Sequence, residues 1–382
     1  MRTLLKNCHL VSPGLELFGA ALLLDGELIK EIVPAGIPLP DAENTVDIKG
    51  LTVVPGFIDI HCHGRGGADF CDGTIEAMNI IGKGKLEEGV TGFLATTMTV
   101  APECLEAAAH AAAVYRNNPS GAKLLGIHLE GPFINPACAG AQNLEFIRLP
   151  DIGMVDKINN ICPVKIVSFS PELPGGLEFT RELVKRGIMP SGAHSAADYQ
   201  QFLAAREAGM RHLTHFCNVM TPLHHLRFGM VGGAFRSPDV KVEIIADGVH
   251  LCDEMIELIF RLKTTDGIML ITDAIRAAAM PDGDYDLGGL KVKTQGGRAT
   301  LQDGTVAGST ARFFQVLRKA RDASSIPLPE LIKTCALNQA RSLNIPNMGA
   351  LEPGNIADMT VLNENFEPQF VWVDGKLKKG KI

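Results

Sequence analysis

Residues 53–64 read VVPGFIDIHCHG, an apolar run that ends in two closely spaced histidines, His61 and His63. Side chains two residues apart on a strand share a face, so both histidines can reach one ion while Cys62 points away. Histidine nitrogens suit zinc or iron. The stretch therefore predicts a buried strand with metal ligands at its carboxyl end.

Four more apolar runs end at or near side chains of the types that bind metals. These runs are LLGIHLEGP, GIMPSGAH, RHLTHFCN and GIMLITDA. A single histidine in an apolar strand is usually a core residue, but several at successive strand ends indicate a common site. The predicted metal ligands are His61, His63, Glu130, His194 and His215. Asp273 ends the last run, where it could cap a helix or, as we predict, act as the general base.

The same runs predict the fold. GFLATTMT, VKIVSFSPE and VKVEIIADGVH behave like the five runs above and bring the number to eight. Helical patterns lie between the runs, for example at residues 103–117, 176–187 and 198–209. Eight buried strands that alternate with helices predict an α/β fold, a (β/α)8 barrel of the TIM type, with its active site at the carboxyl ends of the strands. We place the barrel at residues 55–345.

Short strand-like segments with turn signals precede and follow the barrel. Residues 1–54 and 346–382 carry them. Two β segments that flank a catalytic domain would most simply pair. We therefore predict one small, discontinuous, β-sandwich-like module built from both ends of the chain.

Composition narrows the class of protein. The chain has 382 residues, of which 46% are hydrophobic and 21% charged, as is usual for a soluble globular enzyme. Its net charge of −7 argues against nucleic acid as a partner. The first residues lack the apolar core of a signal peptide, and no stretch reaches the roughly 18 apolar residues of a membrane span. Nine scattered cysteines without a CxxC pair indicate reduced thiols. We expect a cytoplasmic protein without membrane contact.

Other histidines and cysteines near the predicted ligands are open to simpler interpretations. His128 shares a face with Glu130 and is either a core residue or a group that supports the ligands from behind. His212 is three residues from His215, so on a strand it faces the other way. We interpret three cysteines near the site as packing residues: Cys62, Cys217 and Cys252.

Seven segments occur in a recognisable order: VVPGFIDIHCHG, HLEGPF, SGAHS, THFCNVM, IADGVH, TDA and GNIADMTVL. In this order the chain resembles the N-acetylglucosamine-6-phosphate deacetylases of the amidohydrolase superfamily, over nearly its whole length. The resemblance implies hydrolysis of the acetamide of N-acetylglucosamine 6-phosphate to glucosamine 6-phosphate and acetate. We also expect a homodimer.

The resemblance also implies a divalent metal cofactor, zinc or iron, with one or two ions per chain. Glu130, His194 and His215 would hold the principal ion. His61 and His63 would add a second ion, as they do in some family members. Asp273 matches the general base and acid of the family. The positions that match substrate contacts are Asn218, Val219, His250, Ala307 and Gly308.

The chain departs from the family pattern at two positions. Gln142 follows Gly140-Ala141 where the family usually has a histidine that polarises the acetyl carbonyl; glutamine can donate a hydrogen bond but carries no charge. Leu226 stands where the family usually has a phosphate-binding arginine, and Arg227 is displaced from that position by one residue. Arg227 could substitute if its loop allows; otherwise a charge-assisted contact is lost.

Three alternatives stay open at this point. The first is a deacetylase of a related sugar, either N-acetylgalactosamine 6-phosphate or an unphosphorylated sugar. The second is a cyclic-amide hydrolase, but those enzymes usually bridge two metals with a modified lysine at the end of the fourth strand, whereas Lys165 lies at its start. The third is a non-catalytic protein that binds sugar phosphates.

Overall fold

A computed structural model describes residues 1–381 and confirms the predicted (β/α)8 barrel. Eight parallel strands lie side by side in chain order. These strands, β1 to β8, are Phe57–Asp59, Val90–Thr96, Lys123–Glu130, Val164–Phe169, Met189–Gly192, His212–Leu213, Lys241–Ile244 and Ile268–Leu270. Eight helices alternate with them, α1 to α8: Ile75–Glu87, Pro102–Asn117, Ile152–Ile161, Gly176–Lys185, Tyr199–Ala208, Gly229–Arg236, Asp253–Lys263 and Phe313–Ser324. Two short helices, α9 and α10, follow at Leu328–Leu331 and Leu337–Ser342.

Local sequence explains these elements. Every residue of β2 is buried, as expected for a strand covered on both faces. Helix α1 begins where the Thr74 hydroxyl accepts the Ala77 N–H, and α2 begins with Pro102 in its first turn. Asp198 caps α5 in a reciprocal capping box with Gln201. In the described chain, none of the helices combines the length and the apolar character needed to cross a lipid bilayer.

The barrel closes just beyond the carboxyl ends of β1 and β8. The Asp273 N–H donates to the His61 carbonyl at 2.9 Å, and the His63 N–H donates to the Ala274 carbonyl at 2.9 Å. The residues that close the barrel therefore include three of the predicted site residues. Closure and site geometry are set by the same backbone hydrogen bonds.

Both ends of the chain form one mixed β-sheet, as predicted for the discontinuous module. Its strands are Arg2–Ser12, Leu15–Asp25, Leu28–Val33, Asn44–Asp47, Thr52–Pro55, Met359–Leu362, Pro368–Val373 and Lys376–Lys379. The two halves meet where Thr52–Pro55 pairs antiparallel with Met359–Leu362. A separate apolar core, with Leu22 and Trp372 among its members, holds this sheet together. The domain boundaries near residues 54 and 346 stay a prediction.

An antiparallel insert lies between β8 and α8. Its strands are Gly283–Leu287, Leu290–Gln295 and Arg298–Thr300. The Ala307 N–H donates to the Ala299 carbonyl at 3.0 Å, which ties the loop after the insert to its last strand. This loop continues to Gly308, close to the carboxyl end of the barrel. A second, smaller pair, Gly64–Arg65 with Ala68–Asp69, follows β1.

Candidate active site

Three of the predicted ligands converge at the carboxyl end of the barrel. The Nε2 atoms of His194 and His215 lie 3.1 Å apart. Glu130 Oε1 lies 3.3 Å from His194 Nε2 and 3.0 Å from His215 Nε2. All three residues are buried. They form a compact triad of two nitrogen donors and one oxygen donor.

A second triad of donors lies directly beside the first. The Nε2 atoms of His61 and His63 are 3.3 Å apart, and Asp273 Oδ1 is 3.3 Å from His61 Nε2 and 3.2 Å from His63 Nε2. Glu130 faces this triad too, because its Oε2 lies 3.3 Å from His63 Nε2. The structure therefore brings all six predicted residues together, with the Glu130 carboxylate between the two triads.

The spacing of these donors fits divalent ions. Ligands at the usual zinc distances of about 2.0–2.1 Å in a tetrahedron are separated by about 3.3 Å. The donor pairs within the two triads are separated by 3.0–3.3 Å. Nitrogen and oxygen donors suit zinc, iron and other borderline divalent ions. Each triad thus matches one face of a coordination tetrahedron and leaves a fourth position for water or substrate.

The three cysteines near the site lie outside the two triads. Cys62 is buried against Ala274 and Ala278, and Cys217 is half-buried, as expected for packing residues. Cys252 is exposed beside the start of α7, so the prediction that it packs is wrong. The helix start places its side chain toward solvent.

Several site residues have left-handed backbone conformations. The φ angles are 45° at His194, 32° at His215 and 50° at Asp273. Cys217 and Val219, in the loop after β6, share this conformation, with φ angles of 76° and 51°. Such angles cost about 1–3 kcal/mol each in residues other than glycine, and they concentrate at functional sites. The turns redirect each side chain toward the barrel axis immediately after its strand.

The site attracts positive charge. Burial raises the pKa of Asp273, but the imidazoles of His61 and His63 outweigh it and hold the pKa at about 2. Burial likewise raises the pKa of Glu130, and the surrounding histidines hold it well below its ordinary value. Both carboxylates are therefore ionised at neutral pH. Burial lowers the pKa of His61, but Asp273 and Glu130 raise it to about 9, which is the response of a pocket that favours a cation.

Hydrogen bonds on the far side of three imidazoles fix their orientation. His61 Nδ1–H donates to Glu243 Oε2 at 2.9 Å. His63 Nδ1 lies 3.2 Å from the Thr96 carbonyl, and His194 Nδ1 lies 2.9 Å from the Cys138 carbonyl. Because a carbonyl or a carboxylate only accepts, each Nδ1 carries a proton, and Nε2 is the nitrogen turned toward the triads, where it would bind an ion in its deprotonated form.

His128 and His212 lie behind the ligands, inside the barrel. His128 bonds through Nδ1 to the Ile60 carbonyl at 2.9 Å and through Nε2 to Ser168 Oγ at 2.6 Å. Burial lowers its pKa to about 3, so it is a neutral supporting group. His212 belongs to neither triad and points into the barrel, where its Nδ1 lies 3.0 Å from Ser191 Oγ. Burial lowers its pKa to about 4.

A cavity of about 170 Å³ opens above the triads. It is lined by five predicted substrate-binding residues: Gln142, Asn218, Val219, His250 and Gly308. Apolar groups that the sequence analysis missed share the lining: Met98, Ile245 and Leu287. Ala307 is buried next to the cavity and does not line it. His250 is held by Asp247, whose Oδ2 accepts from Nδ1 at 2.8 Å.

Gln142 is directed at the metal ligands. Its Oε1 accepts the Thr99 N–H at 2.8 Å, which fixes the orientation of the amide. Its Nε2 donates to Glu130 Oε2 at 2.6 Å. One of its two amide hydrogens thus orients a ligand, and the other is directed at the weak acceptor Met98 Sδ, 3.9 Å away in the cavity lining.

The structure leaves Arg227 outside this cavity. Arg227 and Leu226 are both exposed on the loop between β6 and α6, and Leu226 is 78% exposed. Neither residue lines the cavity. The loop therefore exposes the apolar side chain of Leu226 at the position where the family pattern has an arginine.

Comparisons with known proteins agree with this fold and site. Residues 52–378 match the amidohydrolase family, and the chain therefore belongs to that family, whose chemistry implies a divalent metal. The chain is 37% identical over 321 residues to the N-acetylglucosamine-6-phosphate deacetylase of Lysinibacillus sphaericus, an alignment that covers 83% of each chain. It is 34% identical over 351 residues to the N-acetylgalactosamine-6-phosphate deacetylase of Escherichia coli O157:H7, covering 91% and 92% of the two chains. A crystal structure of N-acetylglucosamine-6-phosphate deacetylase from Thermotoga maritima superposes with a TM-score of 0.90 at 33% identity, covering 99% of this chain and 100% of that one.

Proposed function

We propose that this protein is a divalent-metal-dependent deacetylase that converts N-acetylglucosamine 6-phosphate to glucosamine 6-phosphate and acetate. One observation carries the proposal: six ligand-type side chains converge, with donor spacings of 3.0–3.3 Å within each triad, below a cavity lined by polar groups. Relatives that align over more than four-fifths of the chain are amino-sugar-phosphate deacetylases.

The reaction adds water across the acetamide bond. The two triads would hold a divalent ion, which would supply a Lewis acid for the acetyl carbonyl and lower the pKa of the attacking water. Asp273 is ionised and lies beside the triads, so it accepts the proton of the water as the new carbon–oxygen bond forms. It then returns that proton to the nitrogen as the carbon–nitrogen bond breaks. The products are acetate and the amine, which takes up the second proton of the water as an ammonium ion.

We propose that Gln142 has two roles. One amide hydrogen holds Glu130, and the other, now directed at the weak acceptor Met98 Sδ, would turn to the substrate and stabilise negative charge that develops on the carbonyl oxygen. A neutral amide does so less strongly than a charged histidine would. An ion held by the triads would therefore have to stabilise more of the negative charge on the carbonyl oxygen than it would beside a charged histidine.

Three segments at the carboxyl end of the barrel supply the substrate side of the cavity. Asn218 and Val219 lie in the loop after β6, His250 follows β7, and Gly308 lies beside Asp273. We propose that these groups bind the sugar. Arg227 is the proposed contact for the 6-phosphate and would reach it by movement of its exposed loop.

A cyclic-amide hydrolase is the less favoured alternative. Lys165 lies at the amino end of β4, whereas the triads lie at the carboxyl end of the barrel. Glu130 occupies the position between the two donor triads that a bridging lysine would take.

We further propose two ions per chain, zinc or iron, one at each triad. The presence of both triads supports this number. A homodimer and a cytoplasmic location stay predictions from the sequence.

A deacetylation screen on metal-quantified protein tests the proposed substrate. The panel comprises N-acetylglucosamine and N-acetylgalactosamine, each with and without a 6-phosphate, and acetate release is the readout. We expect the highest kcat/KM for N-acetylglucosamine 6-phosphate. A higher value for the galactosamine epimer, or no effect of the phosphate, would reject the substrate while leaving the hydrolytic site intact.

A further inference from the structure

A layer of polar side chains lies inside the barrel, directly behind the metal-ligand triads. Five successive strands contribute one side chain each, and one more comes from the residue after β6: His128, Ser168, Ser191, His212, Glu243 and Thr214. All six are fully buried. Barrel interiors are usually filled by Val, Ile and Leu, so this layer breaks the packing rule of the fold. Polar residues at positions where the fold normally has apolar ones are expected mainly at functional sites.

Hydrogen bonds join five of these six side chains, and Glu243 is not part of their chain. Ser168 Oγ lies 2.6 Å from His128 Nε2 and 2.5 Å from Thr214 Oγ1. Thr214 Oγ1 in turn lies 2.5 Å from Ser191 Oγ, which lies 3.0 Å from His212 Nδ1. The chain of contacts runs around the barrel interior and ends at His212.

Glu243 is the charged member of the layer. Its Oε2 accepts from His61 Nδ1–H at 2.9 Å and from the His215 backbone N–H at 3.4 Å, and its Oε1 lies 3.7 Å from His212 Nε2. Among the described residues it forms a salt bridge with no lysine or arginine. A buried carboxylate without a cationic side chain is costly, so its place behind a metal-ligand histidine calls for a functional explanation.

We infer that Glu243 is a positioning residue that fixes the His61 imidazole for the ion at the His61–His63–Asp273 triad. A carboxylate behind a ligand histidine sets its tautomer and orientation and makes its other nitrogen more basic. His61 has its Nε2 turned to the triads and Nδ1 turned to Glu243. His128 packs edge-on against the same ring, with centroids 4.7 Å apart, and limits its rotation. This inference rests on the proposed metal chemistry.

Metal affinity of the folded protein tests this inference. Metal-free wild type and Glu243→Gln are titrated with zinc against a competing chelator, and the dissociation constants are compared. We expect the ion at the His61–His63–Asp273 triad to bind about 10- to 100-fold more weakly in the variant. The ion at Glu130, His194 and His215 should lose less affinity, because Glu243 contacts that triad only through the His215 backbone N–H, for which glutamine retains an acceptor. Glu243→Leu should lose more than Glu243→Gln, because glutamine retains an acceptor for His61 Nδ1–H.

Glu88→Gln is the matched control. Glu88 is a fully buried carboxylate that contacts Arg65 and Lys85 and accepts the Phe313 N–H at 2.8 Å, and it touches no residue of the triads. Its variant should lower the unfolding temperature and leave both zinc affinities unchanged. Equal losses of affinity in both variants would mean a purely structural role for Glu243 and would overturn the inference, as would wild-type affinities in Glu243→Gln.

Two further measurements separate the possible failures. If Glu243→Gln does not fold, Glu243→Asp takes its place. Aspartate keeps the charge, but its shorter side chain withdraws the carboxylate from His61. Unchanged zinc affinity in that variant would overturn the inference. Uptake of a single ion by the wild type would also overturn it, yet deacetylation with one ion would stand. A two-ion wild type that releases no acetate would reject the proposed function, and the affinities would still decide the role of Glu243.

Discussion

Gly308 packs against the proposed general base, and its replacement by alanine tests that packing. Its φ is 59°, and a Cβ atom there would lie 2.4 Å from Ile275 Cγ2 and 3.0 Å from the Asp273 carbonyl oxygen. The left-handed conformation costs an alanine about 1–2 kcal/mol. Overpacking of this buried contact adds about 1–3 kcal/mol. We therefore expect Gly308→Ala to lower the free energy of unfolding by about 2–5 kcal/mol.

Gly304 provides a matched control in the same segment. Its φ is 89°, but a Cβ atom there would meet nothing within 4 Å. Gly304→Ala should therefore cost only the conformational part, about 1–2 kcal/mol. Urea denaturation of the metal-free proteins measures both values, and the kcat of the metal-loaded proteins reports any displacement of Asp273. The reasoning is refuted if the two variants are equally stable and equally active.

Three further variants test the assignment of roles. Asp273→Asn keeps the shape of the side chain and removes the base, so kcat should fall by about 10²- to 10⁴-fold; near-normal turnover would move the role to another group. His61→Ala combined with His63→Ala should reduce the metal content from two ions per chain to one by elemental analysis, and an unchanged content would reject the second ion. Arg227→Ala should raise KM for the phosphorylated sugar about 10- to 100-fold, because a charge-assisted hydrogen bond contributes about 1.5–3 kcal/mol. The same variant should leave turnover of the unphosphorylated sugar unchanged, and an equal effect on both sugars would contradict a contact with phosphate.

The six metal-site residues could be predicted from sequence because the fold itself brings strand ends together. Parallel strands of a barrel deliver their carboxyl ends to one rim, so polar residues far apart in the chain meet there. His61 follows the first strand and Asp273 follows the last, so they are far apart in the chain, yet they lie in one triad for this reason. The rule needs only the order of strands, which apolar runs reveal.

Strand lengths after β5 were not predictable in the same way. The run RHLTHFCN suggests a strand over residues 211–218, but β6 consists of His212–Leu213 alone. His215, two residues after this strand, has a left-handed backbone conformation. No local pattern of residue types predicts that conformation for a histidine. The placement of Arg227 also escaped prediction, because an exposed loop has no periodicity to constrain it.

Two other features had signals that were overlooked. The antiparallel insert turns at Gly288-Gly289 and at Gly296-Gly297, where all four φ angles are positive, and such glycine pairs are the usual turns of tight hairpins. Glu243 is a fully buried charged residue between Val242 and Ile244 in β7, whereas Lys241 at the start of the same strand is only half-buried. A carboxylate inside a buried strand requires a partner, and that partner is His61.

The central claim is that metal held by the two triads makes this protein a deacetylase. The most direct measurement is acetate release from N-acetylglucosamine 6-phosphate by chelator-stripped protein, before and after zinc or iron is returned in known amounts. The account predicts no measurable release from the stripped protein and full recovery as the ions are restored. Full activity without metal, or no release from protein that carries two ions per chain, would contradict it.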